Sequence, residues 1–142
     1  MSGELSMRYY QQGFSLTELM IAVAIVTILG AFALPSFTGQ VMRSNRIDAT
    51  SALMRVAAEQ EKFYLQNNTY GDTSDLGDPV TDSGYYTLAI PTANATTFTI
   101  TATPTSGGPQ VNDKTCVSFS IDANGRRSAI DSDSADSSAA CW

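Results

Sequence analysis

Gly13 to Pro35 reads GFSLTELMIAVAIVTILGAFALP, and between Phe14 and Leu34 the only charge is Glu18. As a helix these twenty-one residues reach roughly 31 Å at 1.5 Å each, which matches the hydrocarbon thickness of a bilayer. The run is too long for an ordinary signal-peptide core, and no A-x-A cleavage site follows it. A cut after Gly13 would instead leave the apolar helix on the mature chain, beginning at Phe14. Before it lies a polar leader, 1–13, ending YYQQG, with Arg8 its one base and Met7 a second candidate start beside Met1. Arg43, Arg46 and Arg55 follow the run, so a positive-inside count favours a cytoplasmic C-terminus.

The rest of the composition narrows the function. The 142 residues suit one domain, and 8 basic against 14 acidic residues give a net charge of −6 with no histidine. An acidic surface repels a phosphate backbone, and no local basic patch is visible, so no nucleic acid is expected as partner. Lack of histidine removes His-based triads and zinc clusters, and two cysteines alone cannot close a structural zinc site. Neither a G-x-x-x-x-G-K loop nor G-x-G-x-x-G occurs. A non-enzyme without metal or cofactor is expected.

Beyond the run, residues 36–66 continue the helical pattern. At 100° per residue Asp48, Arg55, Glu59, Lys62 and Gln66 form a narrow charged stripe, a solvated face or a contact with a neighbour's helix. Ile47, Leu53, Met54, Ala57, Ala58, Tyr64 and Leu65 make a broad face suited to covering a sheet. Pro35 lacks an N–H and crowds the carbonyl of Ala31, and Gly30 weakens the same turn, so a helix break is expected at Gly30 and Pro35. Residues 67–84 are polar and read as a long connection. Tyr86, Leu88 and Ile90 alternate with Tyr85, Thr87 and Ala89, and Phe98, Ile100 and Ala102 alternate with threonines, giving two strands around a turn at Pro91 to Thr96. A third strand spans Thr115 to Ile121, and Asn124-Gly125 turns into a short fourth near Arg127 to Ile130. The expected class is α+β: one long helix on an antiparallel sheet of about four strands within 85–130, with 67–142 as a globular head. Ser132 to Ala140 is polar and of low complexity.

The string Gly13-Phe-Ser-Leu-Thr-Glu-Leu19, followed by an apolar run ending Ala33-Leu34-Pro35, resembles the signal of type IV prepilins. Polar leader, glycine, phenylalanine, a lone glutamate and a terminal proline must coincide for that match, which covers roughly the first 70 residues. The order of polar helix, strands and a C-terminal cysteine pair is similar to type IVa pilins. Asp113, Lys114, Thr115 and Cys116 with Cys141 and Trp142 look most like PilE-type minor pilins. The resemblance implies cleavage after Gly13 by a prepilin peptidase, methylation of Phe14, and an assembly role for Glu18. It implies a continuous long helix that can locally melt between Gly30 and Pro35 in a stretched filament. It also implies other pilin subunits, an inner-membrane platform protein and an assembly ATPase as partners. The chain would be anchored in the inner membrane of a Gram-negative bacterium with its C-terminus periplasmic, then join an extracellular filament used for adhesion or twitching motility.

Glu18 has two readings. Ser15-Leu-Thr-Glu18 spells a capping box, and an acid in the first turn suits the helix dipole. In the family the carboxylate meets a neighbour's terminal amine; burying an acid in hydrocarbon costs about 2.5 to 3.5 kcal/mol, and a pair at about 4 Å is worth roughly 4 kcal/mol before desolvation. Those terms nearly cancel, so the pair selects a register rather than adding stability.

Cys116 and Cys141 would pair in an oxidising compartment, bounding residues 116–141, and would be inert core residues in a reducing one. The pair is preferred, and it outweighs the arginine count. Asp72, Asp75, Asp78 and Asp82, like Asp131, Asp133 and Asp136, lack the glycine and terminal glutamate of an EF-hand and read as turn formers. Asn67-Asn68-Thr69 and Asn94-Ala95-Thr96 match a short glycosylation pattern. Against a pilus subunit stand a pseudopilin of a type II secretion or DNA-uptake system, and a single-pass membrane protein with a periplasmic binding domain that forms no polymer.

Overall fold

The apolar run and the segment after it lie in one helix. In the computed structural model, which describes residues 13–77 and 79–142, α1 spans Leu16–Asn67. The helix assignment continues through Gly30 and Pro35. The chain divides into two compact units at Thr38 and Gly39.

The first unit is the N-terminal stretch of α1. An 18-residue window of α1 has a mean hydropathy of 2.3, and none of that window is buried. Its length and composition suffice to cross a membrane. Leu16, Leu19, Met20, Ile21, Val23, Ile25, Val26, Ile28, Leu29 and Phe32 are all exposed.

The second unit, Gly39–Trp142, is the head. Its sheet consists of β1 (Tyr86–Ala93), β2 (Phe98–Pro104), β3 (Ser118–Asp122) and β4 (Arg127–Ile130), antiparallel and in sequence order. Alternation puts Tyr86, Leu88, Ile90, Phe98, Ile100, Ala102, Phe119, Ile121 and Ala129 on the buried face. Ala49, Ala52, Leu53 and Val56 of α1 cover them. Phe119 is central: it meets Tyr86 edge-on at 5.5 Å and Trp142 at 6.2 Å.

Two boundaries differ from the expected ones, each for a local reason. β1 does not turn at Pro91 but runs on to Ala93, with its register to β2 shifting between Ala89 and Thr92. β1 is an edge strand, where a missing N–H can be tolerated at a bulge. The turn is Asn94 to Thr97, closed by Asn94 N–H donating to Thr97 O at 3.0 Å. β3 starts at Ser118 rather than Thr115, because the N–H groups of Thr115 and Cys116 donate to the Asp113 carboxylate instead of a ladder. Asn124-Gly125 does make the next turn, with Gly125 at φ 73° and its N–H on Asp122 O at 2.9 Å. That left-handed φ is why glycine stands there.

The polar tail is ordered. Asp131 accepts the N–H groups of Asp133 and Ala135, both at 2.9 Å. Ser137 N–H donates to Ala129 O, and Ala129 N–H to Ser138 Oγ, so the tail covers the open edge of β4. A short helix, α2 (Ser138–Cys141), follows. Cys141 is bonded to Cys116. A 3₁₀ turn, Pro109–Asn112, lies between β2 and β3.

Candidate assembly site

The face of α1 that covers the sheet is only partly the broad apolar face expected: Leu53 is in the core and Ala57 packs against it, but Ile47, Met54, Ala58 and Leu65 are exposed. Ile47 is 65% exposed, Met54 42% and Leu65 84%, whereas Gln60 is fully buried. Ala49, Ala52, Leu53, Val56 and Gln60 cluster on one side, while Ile47, Met54, Ala58 and Leu65 fall within about 40° of one another on the opposite side. The physical reason is that small alanines allow close approach to the sheet, and the polar members of that face find buried partners. Gln60 Nε2 donates to Gly71 O at 2.6 Å, and Gly71 N–H returns a bond to Oε1 at 2.9 Å. Ile47, Met54 and Leu65 are left as an outward stripe.

The charged stripe also does more than face water. Asp48 accepts Ser83 N–H at 3.0 Å and Tyr85 N–H at 3.3 Å. Arg55 donates to Val80 O at 2.9 Å and lies 3.2 Å from Asp82. These two residues fasten the long connection after α1, and Tyr70 helps by packing against Phe98 at 4.8 Å and Tyr64 at 4.7 Å. Glu59, Lys62 and Gln66 remain exposed.

At the N-terminal end, Gly13 and Phe14 are exposed. The capping box does not close: Ser15 Oγ pairs with Thr17 Oγ1 at 2.9 Å. Among the described residues no hydrogen bond or ion pair engages the Glu18 side chain, which is exposed on the first turn of α1. The leader, with Arg8 and both candidate starts, lies outside the described residues, as does Asp78; the Pro35 side chain is likewise outside the description.

The remaining candidates resolve into turn chemistry. Asp72 accepts from Ser74 N–H at 2.8 Å, the Ser74 hydroxyl at 2.6 Å and Asp75 N–H at 3.1 Å. The Ser74 hydroxyl, then the backbone N–H groups, hold its carboxyl below the usual range. Asp136 is lowered likewise by Ser138. Asn94 Oδ1 accepts Thr96 N–H, the Thr96 hydroxyl and Thr97 N–H within its hairpin.

Trp142 Nε1 donates to Ser128 O at 2.9 Å, and Arg127 lies 5.4 Å from the centre of its ring. Sequence reasoning missed that Arg46, Gln60, Thr81, Gln110 and Asp113 are buried polar members of the core. No periodicity marks a polar residue as core; only the position of Arg46 and Gln60 on the alanine-rich side of α1 could have done so.

Comparison with known proteins starts from the fold. The non-core minor pilin PilV of Neisseria meningitidis superposes with a TM-score of 0.53 at 19% identity, covering 68% of this chain and 93% of that one. That likeness establishes the pilin fold. Residues 8–34 match the prokaryotic N-terminal methylation motif, and residues 35–120 match the family described as type IV minor pilin ComP, DNA uptake sequence receptor. The fimbrial protein EcpC of Eikenella corrodens is 33% identical over 104 residues, 72% of this chain and 68% of the relative. The type IV major fimbrial protein FimA of Dichelobacter nodosus is 37% identical over 90 residues, 58% of this chain and 52% of the relative, so the chain spans about half the length of that relative. The chain belongs to the type IV pilin family, whose members are structural proteins rather than enzymes.

Proposed function

We propose that the chain is a type IV pilus subunit, closer to a minor than to a major pilin, that is anchored in a membrane by the first part of α1 and later polymerises through it. The observation that carries this reading is Glu18: an exposed acid with no partner among the described residues, on a helix whose other side chains up to Phe32 are uncharged and whose large apolar side chains from Leu16 to Phe32 are exposed. An acid in that setting needs a counter-charge once the helix leaves water, and the amine freed by cleavage after Gly13 supplies one on a neighbouring copy. Open, head-to-tail repetition of that contact makes a fibre.

In this reading Gly13 is the cleavage residue and Phe14 the methylated first residue, so a prepilin peptidase, a platform protein and an assembly ATPase are partners. Gly30 and Pro35 mark where α1 loosens inside a stretched filament. The disulfide favours a periplasmic head before assembly, against the arginine count, and the family resemblance favours a Gram-negative host. Adhesion or twitching motility is the use such filaments would serve.

Mass spectrometry of the native N-terminus, with quantification of the chain in sheared extracellular fibres, tests this. A chain starting at methylated Phe14 and recovered in fibres is expected; a retained leader and no polymer would refute it and favour the non-polymerising membrane protein. Recovery only in short periplasmic assemblies would favour a pseudopilin.

The match of residues 35–120 to a DNA-receptor family favours a second reading, a DNA-uptake pilin. The net charge of −6 opposes it, and Arg46 and Arg55 are engaged within the head. DNA binding that weakens steeply with salt would favour this second reading.

A further inference from the structure

Arg46 and Asp113 form a forked ion pair inside the head: Nε donates to Oδ2 at 2.7 Å and Nη2 to Oδ1 at 2.9 Å. Both residues are buried. Each partner also reaches further. Asp113 Oδ1 accepts the N–H of Thr115 at 3.2 Å and of Cys116 at 3.3 Å. Arg46 Nη1 donates to Ala140 O at 3.3 Å, beside Cys141. A single pair anchored on α1 therefore holds the backbone next to both cysteines of a bridge whose ends are 25 residues apart. Gln110 fixes the start of the same segment, donating to Met42 O at 3.1 Å and to the Tyr86 hydroxyl at 2.7 Å, and accepting from Asn45 at 3.2 Å.

Stability alone is a weak reason for such a pair, because desolvating two charges offsets most of their attraction. The attested use of buried ions is to select register. Ser132 to Ala140 contains no large apolar side chain that could dock it on the core, so its seating rests on polar contacts along β4, on Trp142 at its end and on this pair.

The geometry points to a positioning role for Arg46 and Asp113 in closing the Cys116–Cys141 bridge. The pair seats residues 113–116 and α2 so that the two thiols meet before any covalent bond exists. Closure needs a disulfide oxidant. One cysteine thiolate attacks the oxidant's disulfide to give a mixed disulfide; the other thiolate then displaces the oxidant's sulfur and forms the Cys116–Cys141 bond. Two electrons pass to the oxidant, which leaves as thiols, and the two cysteine protons are released or taken up by those thiols. Arg46 and Asp113 transfer nothing; they raise the local concentration of one sulfur at the other.

The test is the equilibrium of the full-length chain, in detergent micelles, with mixtures of reduced and oxidised glutathione. The ratio of bridged to reduced chain at each mixture gives the effective concentration of one cysteine at the other. Asp113→Asn and Arg46→Met are expected to lower it tenfold or more, and Arg46→Lys, which keeps the charge but not the fork, to lower it less. Ile100→Val, which loosens the sheet core away from the pair, is expected to leave it within twofold. Unchanged values in Asp113→Asn and Arg46→Met, or an equal fall in Ile100→Val, would overturn the proposal. Should the first two variants fail to fold, Arg46→Lys decides: a fall of threefold or more sustains the positioning role, and anything smaller rejects it.

Discussion

Gln60 and Gly71 bond each other twice, amide to carbonyl at 2.6 Å and N–H to amide oxygen at 2.9 Å, inside the head. The pair joins α1 to the first turn of the connection that follows it. Gln60→Leu keeps volume but leaves a buried N–H and C=O unpaired, which costs about 1–3 kcal/mol for each group. Gly71→Ala should also destabilise, since an added Cβ would lie 2.7 Å from Leu76 Cδ1 and 3.0 Å from Asp75 Cβ. Chemical unfolding followed by near-ultraviolet circular dichroism measures both. Gln66→Ala, at an exposed position on the same helix, should stay within about 0.5 kcal/mol of the parent.

Tyr86 sets an alkaline limit. Burial pushes its phenol above the usual value of 10.0, with Asp113 adding to the rise and the Gln110 bond and Arg46 opposing it. The folded head thus prefers the neutral phenol. That contribution is fully present below about pH 10 and is lost as pH rises through the folded value. Tyr86→Phe should be less stable at neutral pH by about 0.5–1.5 kcal/mol, for the lost Gln110 bond. Its stability should nevertheless fall less steeply above pH 10 than the parent's, as urea unfolding at a series of pH values would show.

Cys116→Ser with Cys141→Ser should cost about 3.5 kcal/mol on chain-entropy grounds for a loop of this size. Urea titration reads the loss. Thiol titration of the denatured native protein should find no free thiol; two would remove the bridge and, with it, the argument for a periplasmic head.

Much of this fold was legible because its signals are periodic. The apolar run, the alternation of Phe98, Ile100 and Ala102, and the Asn124-Gly125 turn each follow from local chemistry. What was not legible depends on partners distant in sequence. Ile47, Met54 and Leu65 read as core alongside Leu53, yet the sheet takes Leu53 with Ala49, Ala52 and Val56, because two backbones approach more closely where alanines lie between them. Asp48 and Arg55 read as solvated charges, and their bonds to Ser83, Tyr85 and Val80 could not be foreseen from helical spacing. The proposed site divides in the same way. Gly13, Phe14 and Glu18 are a linear motif, whereas the outward stripe on α1 exists only once the sheet has chosen its side.

That stripe gives a prediction separate from the motif. Ile47 and Leu65 are largely exposed, so Ile47→Asp and Leu65→Asp should leave head stability within about 0.5 kcal/mol of the parent. If the stripe packs against neighbouring helices in the fibre, each change removes apolar burial worth about 1.5–3 kcal/mol and adds a charge to desolvate. Fibre yield after shearing should drop for both while the membrane pool of processed chain is maintained. Ala52→Asp, on the buried side, should instead unfold the head and deplete both pools.

Glu18→Gln isolates the charge at the proposed assembly contact. The amide has nearly the same shape and remains tolerable in a membrane helix, so insertion and cleavage after Gly13 should proceed, and mass spectrometry should still find methylated Phe14 in the membrane fraction. What disappears is the attraction to a neighbour's amine, roughly 4 kcal/mol at about 4 Å before desolvation. Without it, no register of one helix against the next is favoured over its alternatives, so the variant should be absent from sheared fibres. Glu18→Asp keeps the charge on a shorter stem and should recover part of the fibre signal. A charge-independent role at the helix start predicts the reverse order, because the hydrogen-bonding shape survives in glutamine and not in aspartate. Normal fibre content for Glu18→Gln would therefore remove the ion-pair account of assembly while leaving the fold and family assignment untouched.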